Sequence, residues 1–183
     1  MTYKLPDWEL LGETSNLKSK VFEVVTRRCL SPKDGREKNF MSIRAPDWCN
    51  VAPITQDGRI LLVRQFRHGS REISLELPGG QVDGFESPLS TAKRELEEET
   101  GYSAQSFKQL TALRPNPALF TNTIYTFVAF EAVKNKQTKF DENEDLAPLL
   151  VTKKELKEMI LDGRINHALM VAAIASFLLV YPD

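Results

Sequence analysis

A mixed α/β layered domain is what this chain predicts, and three observations carry the prediction. Short β-patterned runs lie on both sides of one strongly polar helix, two helical runs close the sequence, and turn signals separate the segments. With 183 residues and 42% hydrophobic content, the chain can bury one sizeable core with a small appendage.

The elements follow in order. Val21 to Ser31 (VFEVVTRRCLS) favours a strand and Asn39 to Arg44 another, joined by the turn-rich SPKDGRE. This first part, residues 1–45, has little core of its own and must pack on the main domain or on a second copy of the chain. Trp48 to Thr55, the turn Gln56-Asp57-Gly58 and Arg59 to Arg67 read as a hairpin whose second strand is strongly apolar (ILLV). Glu72 to Leu77 alternates as a short strand and delivers the chain into Pro78-Gly79-Gly80. Ser87 then Pro88 is the pairing of an N-cap with a first helical residue. Leu89, Ala92 and Leu96 recur at helical spacing, and Gly101 can take the left-handed conformation that stops the helix. Two more strands are expected around Phe107 to Leu113 and Thr121 to Val133, with the proline-bearing loop RPNPALF between them. After the polar stretch KNKQTKFDENED come helices at Lys153 to Leu161 and His167 to Val180, separated by Asp162-Gly163.

Composition narrows the function. Net charge is −1 with the basic residues dispersed, so no electrostatic footprint for nucleic acid is present. Cys29 and Cys49 lack metal-ligand spacing, and two thiols in a chain this long point to a reducing compartment. The opening MTYKLPDWELLGE does not read as a signal peptide, because no apolar run follows the first lysine. Ala168 to Val180 is the most apolar stretch, too short to span a bilayer and better read as a buried helix. A cytoplasmic protein without membrane contact is the expectation.

The chemistry concentrates between Gly80 and Tyr102. Glu95, Glu98 and Glu99 stand at i, i+3 and i+4, so one helical surface presents three carboxylates within a turn. A bare helix gains nothing from that repulsion, whereas a hard divalent cation favours clustered carboxylate oxygens. Arg94 can pair with Glu98 one turn on, and can also orient Glu95 or Glu86. A merely solvated acidic helix leaves the flanking glycines and Arg94 unexplained.

The segment resembles the Nudix box, G-x5-E-x7-R-E-U-x-E-E-x-G-U with U a bulky apolar residue. Gly80, Glu86, Arg94, Glu95, Leu96, Glu98, Glu99 and Gly101 fill it in register, and Tyr102 takes the last position loosely. The resemblance implies a Nudix-type α/β/α sandwich over residues 46–183 and metal-assisted hydrolysis of a nucleoside diphosphate linked to another group. REISLELPGG, ILLVRQFRHG and PNPALFTNTIYTFVAFE resemble the ADP-ribose pyrophosphatase and nucleoside-diphosphate-sugar hydrolase branch, as does Pro117, sixteen residues beyond Gly101. The acidic run Asp141 to Leu146 (DENEDL) matches the loop that carries catalytic carboxylates in that branch. Ala118, Asn122 and Thr123 depart from it, standing where glycine and an acid are common, which favours a broader or different nucleoside-diphosphate sugar.

Roles can be assigned on that basis. Glu95 and Glu99 are the primary Mg²⁺ ligands, with Mn²⁺ as a possible substitute, and Glu98 completes or shares the cluster while acting with Arg94 in catalysis. The resemblance adds the Gly79 carbonyl and Glu144 as ligands and Glu142 as general base, a role that metal-bound carboxylates perform poorly. A solvated acidic connector is the competing account of that loop. Arg67 and Arg64 are candidates to clamp phosphates, although one of the two could simply be solvated. Glu76 is a candidate to hydrogen-bond a ribose or a neighbouring amide. Trp48 and Phe120 are candidate base-stacking aromatics or, as aromatics at strand starts usually are, core. His68 and His167 have no ligand partners in the sequence. Competing functions are another Nudix hydrolysis (of GDP-mannose, a dinucleotide or a nucleoside triphosphate) and an ADP-ribose sensor, which would be expected to have lost box carboxylates. The resemblance also implies a homodimer in which the N-terminal segment lends residues to the partner's substrate site.

Overall fold

The computed structural model of the chain describes residues 5–139 and 146–182. It divides into two compact units, Met1–Pro46 with Arg114–Asn122 and Asp47–Leu113 with Thr123–Asp183.

In the first unit, β1 (Glu9–Lys18), β2 (Glu23–Leu30) and β3 (Glu37–Arg44) form an antiparallel meander in that order. The strand β1 goes beyond the sequence expectation. Its residues ELLGETSNLK are mostly exposed and show no apolar alternation, so the polar ladder to β2 defines it rather than a buried face. An ion-pair network stitches the three strands: Arg27 pairs with Glu13 at 2.6 Å, and Arg44 reaches both Glu23, at 2.7 Å, and Glu13. The Trp8 and Phe40 rings meet edge to face at 5.2 Å. Phe120 bridges to Ile43, flanked by Ile43 N–H to the Leu119 carbonyl at 2.7 Å and Thr121 N–H to the Ile43 carbonyl at 3.1 Å. The expected strand from Thr121 therefore begins later, because its first residues are engaged with β3.

The second unit is a mixed sheet between helices. Its strands are β4 (Trp48–Thr55), β5 (Ile60–Arg67), β6 (Glu72–Glu76), β7 (Gly79–Gln81), β8 (Tyr102–Ser103), β9 (Ser106–Leu113), β10 (Ile124–Lys134) and β11 (Leu146–Val151). The main path runs β11-β5-β4-β10-β8, with β6 on β5, β7 on β4 and β9 on β10. Only the β4–β10 pairing is parallel among these ladders. The expected β4–β5 hairpin forms, with Gly58 at φ 79°, but the two strands share a single register pair, Ile54 with Ile60. Beyond it they part, and β6 and β7 fill the gap, one beside each strand. β11 was not legible as a strand: LAPLLV carries Pro148, which an edge strand tolerates because no ladder bond is needed on its open side.

Alternation sends side chains to opposite faces. Cys49, Val51, Leu61, Phe127 and Ala129 pack with Ala92 and Leu96 of α1 (Pro88–Thr100). Ala52, Ile60, Leu62 and Val128 pack with Leu156 and Met159 of α2 (Lys153–Leu161) and with Met170, Ala173, Ile174 and Phe177 of α3 (Ala168–Val180). The result is an α/β/α sandwich, as expected. A capping box at Thr152 and Glu155 starts α2, and the His167 ring accepts the Leu169 N–H at the start of α3.

Candidate active site

The helix α1 is held at both ends by its sequence. Ser87 accepts the Ser90 N–H at 3.1 Å, Pro88 occupies the first turn, and Gly101 ends the helix at φ 72° with its N–H on the Glu97 carbonyl at 2.9 Å. Gly101 is also pressed against the backbone of Lys136, where a Cβ would strike the carbonyl oxygen. Ala92 and Leu96 fasten one face to the sheet, which leaves the adjoining stripe for chemistry.

On that stripe Arg94 meets all three of the partners that its position allowed. Its Nη1 donates to Glu95 and to Glu98, each at 2.9 Å, while Nη2 and Nε reach Glu86 at 3.1 and 3.2 Å. Thr91 adds an O–H to Glu86 at 2.8 Å. Hydrogen bonds from Arg94 and then Thr91 hold the Glu86 carboxyl below its ordinary range, and donating to Glu86 in turn pushes the Arg94 guanidinium upward. Arg94 is thus a fixed cation that ties the loop acid to two helix acids.

The glycines serve this arrangement by what they lack. The Gly79 N–H donates to Glu99 at 2.9 Å, and Glu99 is only 3% exposed. A Cβ on Gly80 would collide with the Glu95 carboxylate, and one on Gly79 would stand 2.7 Å from the Asn50 Cα. The turn after β6 therefore passes within contact of both carboxylates because it has no side chains there. Next to it Cys49 is buried, and burial pushes its thiol up to about 12, so it supplies no thiolate near neutral pH.

The donor chemistry suits a hard divalent cation, since Glu95, Glu98, Glu99 and the glycine backbone offer only oxygen. Among the described residues no three acidic, His or Cys side chains stand at metal-ligand spacing. One Arg94 nitrogen instead joins Glu95 to Glu98.

Arg67 and Glu76 are brought together in a two-point pair, Nε to Oε1 and Nη2 to Oε2, both 2.7 Å. Burial raises the Glu76 carboxyl, but the Arg67 hydrogen bonds and charge outweigh it, and the net shift is downward. Arg64 is exposed and lies on the other face of β5 from Gln65 and Arg67. Trp48, half-buried, opens β4, pairs in register with Gln81 and Ile124, and receives the Thr123 carbonyl on its N–H at 3.0 Å. Phe120 belongs to the other unit. Glu142 and Glu144 lie outside the described residues. Thr91 was not singled out as a site-building residue by sequence reasoning, and Gly80 was recognised as a position of the box without the collision that explains it. The signals were present: Thr91 falls at i−3 and i−4 from Arg94 and Glu95, and two consecutive glycines precede the acidic helix.

The NUDIX domain pattern matches residues 44–174. ADP-ribose pyrophosphatase of Bacillus subtilis is 30% identical over 142 residues, which is 77% of each chain. The methanol dehydrogenase activator of Bacillus methanolicus is 31% identical over 142 residues, again 77% of each chain. A crystal structure of an ADP compounds hydrolase superposes with a TM-score of 0.85 over 98% of this chain and 96% of that one, and at 23% identity it speaks to the fold. With the box residues assembled on α1 and the turn before it, and with these relatives around it, the chain belongs to the Nudix family of pyrophosphohydrolases.

Proposed function

We propose that the protein hydrolyses the pyrophosphate bond of nucleoside diphosphate sugars of the ADP-ribose type, with Mg²⁺, to a nucleoside monophosphate and a sugar phosphate. The observation that carries the reading is the carboxylate stripe of Glu95, Glu98 and Glu99, tied through Arg94 to Glu86 and through Glu99 to the Gly79 N–H. The similarity to an ADP-ribose pyrophosphatase supports the substrate class.

Glu95, Glu98, Glu99 and the Gly79 carbonyl would hold the ion, and Glu144 would add to the set. The ion, when bound, neutralises phosphate charge and promotes attack by water. Arg94 orients Glu95 and Glu98, and the Gly79 N–H orients Glu99. Glu142 accepts the proton from the attacking water, a role that rests on sequence resemblance. Arg67 and Arg64 contact phosphate, and Trp48 stacks on the nucleoside base. The protein works as a homodimer in a cytoplasmic setting, consistent with its two free thiols and with no described helix long and apolar enough to cross a membrane. Exposed Leu17 and Met41 share one face of the meander, and Leu10 and Phe40 share the other, so apolar groups stand available to a second copy.

A turnover screen across sugar nucleotides, dinucleotides and nucleoside triphosphates tests the reading, run with and without Mg²⁺ and with product identification. Mg²⁺-dependent release of a nucleoside monophosphate from ADP-ribose or a related sugar nucleotide is expected. Preference for triphosphates or dinucleotides would overturn the substrate assignment.

A further inference from the structure

Two acids of β6, Glu72 and Glu76, share the face of Arg67, and which of these two it pairs with is informative. Its direct cross-strand neighbour on β6 is Glu72, an exposed carboxylate. Arg67 pairs instead with Glu76, whose register partner is Val63, so the side chain runs back along β5 past Gln65. Glu72 receives a 3.3 Å hydrogen bond from Asn166.

The consequence is one of placement. Glu76 ends β6, and only Leu77 and Pro78 separate it from Gly79, whose N–H engages Glu99. Engaging Nε and Nη2 together fixes the plane of the guanidinium as a single contact could not. Stability alone is a weak reason for such a pair, because well-packed apolar residues often replace a buried ion pair at no loss. Glu76 is 3% exposed while the Arg67 side chain is 34% exposed, so the buried partner holds and the accessible partner is held.

We infer that Glu76 is a positioning residue: it draws the Arg67 guanidinium toward the Pro78–Gly79 turn and fixes it there as a clamp for the diphosphate of the substrate. The inference rests on the proposed hydrolysis of a diphosphate and assigns Glu76 an action through Arg67 rather than on a ribose. It explains why the buried acid that ends β6 holds the arginine that ends β5 and then leads directly into the turn at Gly79.

The test compares wild type, Glu76→Gln and Arg67→Lys, measuring KM and kcat with ADP-ribose and the affinity for inorganic pyrophosphate by calorimetry, all with Mg²⁺. Both substitutions are expected to raise KM and weaken pyrophosphate binding on the order of tenfold, the effect of losing a charge-assisted hydrogen bond. The change in kcat should stay within about threefold, because a clamp on the ground-state diphosphate acts mainly on binding. A folded Glu76→Gln with a lower melting temperature but unchanged KM and pyrophosphate affinity would make the pair purely structural and overturn the inference. Loss of kcat at unchanged affinity would overturn it as well. If Glu76→Gln does not fold, Arg67→Lys decides by the same two affinities. Absence of wild-type turnover on every sugar nucleotide would defeat the proposed function, while the pyrophosphate affinities would still judge the clamp.

Discussion

The helices α1 and α3 are both 13 residues long and pack on opposite faces of one sheet, yet they have almost nothing else in common. α3 reads ALMVAAIASFLLV, carries no charge and sinks Met170, Ala173, Ile174 and Phe177 into the larger core. α1 reads PLSTAKRELEEET and sends only Ala92 and Leu96 into its apolar cluster. Its other buried positions, Thr91, Glu99 and Thr100, are polar. One helix is committed to cohesion. The other gives up apolar contact to set charges at fixed places, and its caps, its glycines and Arg94 compensate for what packing does not supply. In this fold the site is built on the less apolar of the two helices.

Three substitutions would break or sharpen that contrast. The largest effect belongs to α3. Phe177, fully buried, should cost about 3–5 kcal/mol of stability when changed to alanine. Denaturant unfolding would measure it, and turnover per folded molecule should stay near wild type. A variant that keeps its stability but loses turnover would show that α3 shapes the site after all.

Glu99→Gln inverts the expectation. Turnover should fall on the order of a hundredfold, because a charge aimed at the reacting centre is lost. Stability should hold or rise, since a like-charge neighbour of Glu95 and Glu98 has been neutralised. Wild-type turnover at ordinary Mg²⁺ would remove Glu99 from the proposed ligand set, and a large drop in stability would mean that its bond to Gly79 is structural.

The smallest effect separates the cap from the chemistry. Gly101→Ala places a side chain at φ 72°, with an expected loss of roughly 1–2 kcal/mol from backbone strain. The contact with the Lys136 carbonyl adds to that loss. Thermal unfolding would report the destabilisation, and a KM unchanged by it would confine Gly101 to holding the helix end.

How much of this was legible depended on whether a residue's role is local. The start of α1, its end and the stripe of acids could be read because capping, helical spacing and charge act within a few residues. Arg94 could be matched to Glu86, Glu95 and Glu98 only as alternatives, since a sequence does not show that one guanidinium satisfies all three. The collision that forbids a side chain on Gly80 was beyond reach, because it depends on how closely the turn after β6 approaches Glu95. Strand β1 escaped notice since a polar, exposed ladder leaves no hydrophobic pattern. Strand β11 escaped because Pro148 argues against a strand until its edge position is known. The pairing of Arg67 with Glu76 over Glu72 needed the register of β5 against β6, which no local signal encodes.

The parallel pairing of β4 with β10 has a further consequence, for the order in which the protein comes into being. As synthesis proceeds from the N-terminus, β4, β5 and the acidic helix leave the ribosome well before β10 does. Until β10 arrives, one flank of β4 has no ladder partner, and Val51 and Cys49 lack the Phe127 and Ala129 side chains that share their cluster. Closing so long a stretch of chain is entropically slow compared with forming a hairpin. The nascent chain therefore carries the acids of α1 through a period when the floor beneath them is unfinished. Dependence on chaperones should be greatest in that interval, and activity should be the last property that a refolding protein regains.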